Sequence, residues 1–233
     1  MALDVYVGPL SRYHSGDWKT VAQVAAEAAG VPYSIVRPEG DEESASPEVV
    51  AEVVASWQKQ IGQIVEANGV EPNLWEDQPS IEYVTDRPGW EGLAGLLFKF
   101  AYLLAPDLPE PRLVPDFSEV SNDPAFRRAM DEPGYLHILA ACELWIPGSF
   151  EFFFESQTVA GQQLGISSLL MLNAALDEVC ELWGKDRLAL RSQESAQPAP
   201  DATLDEAALH GLAVFSRLAY EATERNVPMI LDY

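Results

Sequence analysis

The chain has 233 residues, 48% of them hydrophobic and 10% aromatic, and its 37 Asp and Glu against 14 Lys and Arg give a formal charge of −23. This composition argues against global disorder, and the length fits one large domain or two small ones. The negative field disfavours nucleic-acid and membrane-surface roles and leaves either plain solubility or the capture of a basic protein partner.

Leu3, Val5 and Val7 alternate with Asp4 and Tyr6, which predicts a short strand with one apolar face, stopped by Gly8 and Pro9. A polar-aromatic loop over residues 11–18 follows, and Asp17 is placed to cap a helix reaching Ala29, with Gly30 at its C-terminal end. Residues 31–36 read as a second strand and 38–46 as an acidic loop. Ser46, Pro47 and Glu48 open a helix whose Val50, Val53, Val54, Trp57, Ile61, Ile64 and Val65 share one stripe, closed by Asn68 and Gly69. A short strand is expected at 81–84. A central buried helix then starts at Asp86 or Arg87, carries Trp90, Leu93, Leu96, Leu97, Phe100 and Leu104, and ends at Pro106.

The four prolines between 106 and 116 make a stiff connector and the only candidate boundary in the chain. Asp123 and Pro124 open a short helix. Residues 135–145 fit either helix or strand, and 150–155 read as an aromatic strand. Ser167 or Ser168 opens a long helix to Trp183, residues 184–202 form an exposed loop, and Thr203 to Glu206 is a capping box for a last helix. The tail from Val227 is expected to add an edge strand or to dock on the surface. The class is therefore α+β: a mostly helical single domain, residues 1–233, with a small sheet of short strands.

The N-terminus has neither a basic segment nor a long apolar one, and the most apolar stretch, 93–105, is too short to span a bilayer. A cytoplasmic location without membrane association is expected. Cys142 and Cys180 sit among apolar residues and read as buried free thiols. No phosphate loop, dinucleotide fingerprint, metalloprotease motif or nucleophile elbow is present, and His14, His137 and His210 lack ligand spacing. No cofactor and no metal site are expected.

Candidate ligand-binding residues come from three places. Arg12, Tyr13, His14 and Asp17 form a polar-aromatic cluster after the first strand, where His14 suits acid–base work and Arg12 an anion. The alternative is structural, with Asp17 a cap, Trp18 core and His14 a surface loop residue. Glu151 and Glu155 share one strand face, but four residues span roughly 13 Å at about 3.3 Å each. That exceeds the separation of roughly 5 to 9.5 Å between paired glycosidase carboxylates, so each would need a partner elsewhere. Trp75, in a loop, and Trp90, near a helix start, suit either a binding hot spot or a plug at a core edge. Residues 129–184 hold eight acids and no Lys or Arg, which makes a regional negative field.

Leu3-Asp-Val-Tyr-Val-Gly8 with Arg12, Tyr13 and Trp18, then Thr85-Asp-Arg-Pro-Gly-Trp90, Trp145-Ile-Pro147 before Phe150-Glu-Phe152, and Gly165-Ile-Ser-Ser168 together resemble a family of uncharacterised bacterial cytosolic proteins. The resemblance covers most of the chain and implies no activity and no site residues. In charge, size and expected location the chain is similar in type to immunity proteins that neutralise toxins. The expectation is a non-enzymatic, immunity- or inhibitor-like acidic protein for a basic protein partner. The rival is a small-molecule enzyme with its site near residues 12–18 and a distant carboxylate, and a structural subunit is a third reading.

Overall fold

The computed structural model describes residues 2–32, 46–192, 197–199 and 201–233. In chain order it forms β1 (Asp4–Val7), α1 (Leu10–Ser15), α2 (Val21–Ala28), α3 (Pro47–Ala67), β2 (Val84–Asp86), α4 (Gly89–Leu104), a 3₁₀ turn (Phe117–Asn122), α5 (Pro124–Met130), α6 (Leu136–Ala140), β3 (Leu144–Ile146), β4 (Phe154–Gln157), β5 (Gln163–Ser168), α7 (Leu169–Trp183), α8 (Arg187–Arg191), α9 (Leu204–Arg225) and β6 (Met229–Asp232). The class is α+β and mostly helical. The expected strand at 31–36 and acidic loop at 38–46 lie outside the described residues, apart from Val31, Pro32 and Ser46, none of which is in a strand.

The strands form one six-stranded mixed sheet in the order β2-β1-β6-β3-β5-β4. All neighbouring pairs are antiparallel except β3 with β5. Side-chain alternation divides the core in two. Val5, Val7, Trp145, Met229 and Leu231 pack with α4, α7 and α9 on one face, while Tyr6, Leu144, Ile146, Ile166 and Ile230 pack with α1 and α3 on the other.

β1 is therefore buried on both faces, against the expectation of a single apolar one. Asp4 is only 3% exposed and is held by Arg87, whose Nε donates to Oδ1 at 2.5 Å and Nη2 to Oδ2 at 3.2 Å. A buried carboxylate is tolerable only with such a partner. β6 is likewise an interior strand, between β1 and β3, and not an edge. Its Met229, Ile230 and Leu231 are apolar toward both covers, the pattern of a central strand.

On the first face α4 and α9 cross at very short range. Gly92 and Gly95 of α4 meet Gly211, Ala207 and Ala208 of α9, and a methyl added at Gly95 would lie 2.6 Å from the Ala208 nitrogen. Glycine is required there because two backbones touch, not because of its dihedral freedom.

Helix starts follow the sequence where a cap is present. Ser46, Asp123, Ser168 and Thr203 accept from first-turn amides, and Thr203 with Glu206 completes a capping box. Asp17 does not cap: Thr20 does, with Gln23, and α2 begins at Val21. The expected strand at 150–155 begins only at Phe154. Before it, the Ser168 and Ser167 hydroxyls donate to the carbonyls of Phe150 (2.6 Å) and Phe152 (3.0 Å) in place of a strand ladder. β5 arises in a stretch with no such expectation, the expected exposed loop at 184–202 instead contains α8 with Arg187 and Leu190 buried, and residues 135–145 divide into α6 and β3. Among the described residues no helix is long and apolar enough to cross a membrane.

Candidate functional site

α1 is six residues long and Pro9, at its N-cap, offers no side-chain acceptor. Its first amides are satisfied from afar: Leu10 and Ser11 donate to the Asp77 carboxylate at 2.7 and 3.1 Å. At its other end Gly16 adopts φ +72° and turns the chain back. Tyr13 stacks on Trp18 at 5.4 Å, and both pack on the fully buried Tyr6. Arg12 is consumed in fixing this loop. It donates to Asp17 Oδ2 (3.1 Å), the Asp17 carbonyl (3.2 Å) and the Ile81 carbonyl (3.3 Å), and lies over the Tyr83 ring.

This framework aims Tyr13 and His14 at the end of the sheet where β6 finishes and β1, β3 and β5 begin. There a cleft of about 420 Å³ is lined by Tyr13, His14, Glu143, Thr158, Gln162, Gln163, Leu164 and residues 230–233. That volume lies in the range of small-ligand pockets, roughly 300 to 1,000 Å³. The Tyr13 hydroxyl donates to Asp232 Oδ1 at 2.9 Å, and the Tyr233 hydroxyl donates to Glu143. Among the described residues neither carboxylate forms an ion pair, and the lining holds no Lys or Arg.

Burial raises the carboxyl pKa of Asp232, with Asp4 across the strand pair adding to the rise and the Tyr13 hydrogen bond opposing it. Burial also raises the Tyr13 phenol, reinforced by Asp232, so it stays a neutral donor. The Tyr233 phenol is pushed up to about 12 by burial and by Glu143. Burial lowers His14 to about 4, with Asp77 opposing, so the imidazole is neutral at pH 7.

A second cavity of about 280 Å³ opens on the opposite face of the sheet end. Trp90, Leu93, Leu97, Phe117 and residues 139–142 line it, together with Glu143, Leu231 and Tyr233. The last three line the cleft as well, so the two cavities abut. Trp90 packs between Phe117 (4.8 Å) and Tyr233 (5.3 Å), and with Phe117 also lines a third cavity beside residues 114–118.

Of the residues singled out from the sequence, Tyr13 and His14 line the cleft and Trp90 the adjoining cavity. Arg12 and Asp17 are paired with each other and stand outside the lining. Trp75 is 4% exposed and packs on Trp57 at 6.3 Å, a core position and not a ligand platform. Glu151 and Glu155 face solvent beside exposed Phe153 because Phe150, Phe152 and Phe154 take the inward positions; neither lines the cleft. The carboxylates that do are Glu143 and Asp232, which sequence reasoning missed. The available signal was an acid at the end of an apolar strand run, as at Asp4 and Asp232. Glu206 accepts from the Thr203 amide and hydroxyl, and buried His210 has Nε2 at 3.1 Å from the Arg87 carbonyl. Among the described residues no group of three or more His, Cys, Asp or Glu is arranged to hold a metal ion.

Scanned against protein-family models, curated proteins and solved structures, the chain gives no significant match in any of the three.

Proposed function

We propose that this chain is a non-enzymatic binding protein for a basic protein partner, and that the cleft between α1 and the end of β6 seats a Lys or Arg side chain of that partner. One observation carries the reading: two carboxylates that form no ion pair among the described residues, Glu143 and Asp232, wall a cleft whose described lining contains no Lys or Arg. Each carboxylate accepts one tyrosine hydroxyl, which orients it and leaves acceptor positions for an ammonium or guanidinium group.

The surface charge supports the same reading. Among the described residues eight Lys and Arg side chains form ion pairs within the chain, which leaves most of the 37 acids without a basic partner among them. In the segment without Lys or Arg, Asp131, Glu132, Glu151, Glu155 and Glu181 are exposed and form no ion pair among the described residues. Such a field accelerates encounter with a basic protein and is screened by salt. Titrating short blocked Lys- and Arg-containing peptides at low and high ionic strength tests the reading. Binding at low salt that weakens as salt rises is expected; no binding of any such peptide at low salt ends it.

A second reading, a small-molecule enzyme, is supported by the convergence of Tyr13, neutral His14 and Asp232 on one cleft. Turnover of a small amine that disappears in His14→Gln, with the fold intact, would favour it over the first.

A further inference from the structure

We infer that the basic side chain seated at Glu143 and Asp232 is followed or preceded in the partner by a large apolar side chain, aromatic in its best form, which fills the cavity walled by Trp90, Leu93, Leu97, Phe117 and Leu231. The inference rests on the reading above and adds the second chemical feature of the partner.

The alternation of β6 builds the arrangement. Asp232 falls on the face of α1, and Leu231 and Tyr233 fall on the face of α4. Glu143, Leu231 and Tyr233 line both cavities, so a polar acidic compartment and an apolar one meet along the end of the sheet. Consecutive side chains of an extended segment point to opposite sides. A Lys-Phe or Arg-Phe pair laid across Tyr233 therefore sends the cation to one compartment and the ring to the other.

Size and chemistry agree. A dry apolar cavity of about 150 Å³ holds a benzene molecule, and this one offers about 280 Å³. Apart from Glu143, its side chains are apolar or aromatic, with the buried Cys142 thiol held neutral by a pKa raised to about 12. Phe117 is 36% and Tyr233 52% exposed, so apolar surface is left open where a partner ring would close over it. Glu143, reaching both compartments, ties the cation to the ring.

The test is calorimetric titration of blocked tetrapeptides, Ac-Gly-Lys-Phe-Gly-amide and its Phe-Lys counterpart, against Ac-Gly-Lys-Gly-Gly-amide and a norleucine-Phe control. At least about tenfold tighter binding of one Lys/Phe order over the Lys-Gly peptide is expected, in line with burial of an aromatic side chain. Phe117→Ser, a change at an exposed ring of this cavity, should bring the affinity of the Lys/Phe peptide down toward that of the Lys-Gly peptide. Equal affinities for the Lys/Phe and Lys-Gly peptides would overturn this inference and leave the cation reading standing. Norleucine-Phe binding as tightly as Lys-Phe would overturn the coupling of cation and ring, and binding by no peptide would remove the reading beneath it.

Discussion

Tyr13 and Asp232 are 219 residues apart in the chain, yet the Tyr13 hydroxyl donates to Asp232 Oδ1 at 2.9 Å. The contact ties α1 to the end of β6 and shapes the acidic cleft. Tyr13→Phe removes the donor while keeping the ring on Trp18 and Tyr6. The Asp232 carboxyl, already raised by burial, should rise further, since the lost hydrogen bond favoured the charged form. Stability at pH 7 should fall by about 1 kcal/mol. Carboxyl-detected NMR titration and urea denaturation read the two effects.

Asp232→Asn should act in the opposite direction on stability. A carboxyl whose folded pKa lies above its unfolded value favours folding when protonated, and that advantage is lost as pH rises through the folded pKa. At pH 7 the ionised group is therefore a destabilising one, and the amide, which still accepts from Tyr13, should raise the melting temperature. The same change should weaken binding of a basic peptide. A gain in stability coupled to a loss of binding separates a binding carboxylate from a structural one.

His14 sets a pH window. Its folded pKa is lowered from 6.5 to about 4 by burial, so the unfolded chain takes up a proton first. The stability that depends on neutral His14 is complete above about pH 6.5 and lost as pH falls toward 4, on the order of 3 kcal/mol in all. His14→Gln should flatten the stability profile in that window. Denaturation midpoints of the two proteins between pH 7 and 4 test this, and parallel profiles would contradict it.

The α4–α9 crossing should be intolerant of a single methyl. A Cβ at Gly211 would enter the Gly92 carbonyl, and the neighbours that must yield are backbone atoms. Gly211→Ala should cost at least about 2 kcal/mol despite the higher helix propensity of alanine. The urea midpoint of this variant, beside a Gly134→Ala control where a methyl meets open space, gives the comparison.

Local signals in the sequence were legible where a few adjacent residues decide the outcome. Ser46 before Pro47, Asp123 before Pro124 and Thr203 with Glu206 start their helices as read, because the cap and its amides are neighbours. β6 illustrates the limit. Its apolar run suits either an edge strand or a docked tail, and only the arrival of β1 and β3 from distant parts of the chain makes it central. The site divides along the same line. Tyr13 and His14 stood out as a local cluster, whereas Glu143 and Asp232 acquire meaning from strand register, which places both at one end of the sheet. Glu151 and Glu155 carried a clear sequence pattern, and the three inward phenylalanines explain it without a site.

The most direct test of the central claim is an amide-detected NMR titration of the protein with a blocked Lys-Phe peptide at low salt, repeated on the Glu143→Gln/Asp232→Asn double variant. The account predicts shift changes concentrated at residues 13–14, 143, 162–164 and 230–233, and affinity at least about tenfold weaker in the double variant with its fold retained. Shift changes spread over the exposed acids of residues 129–184, with equal affinity for both proteins, would contradict it.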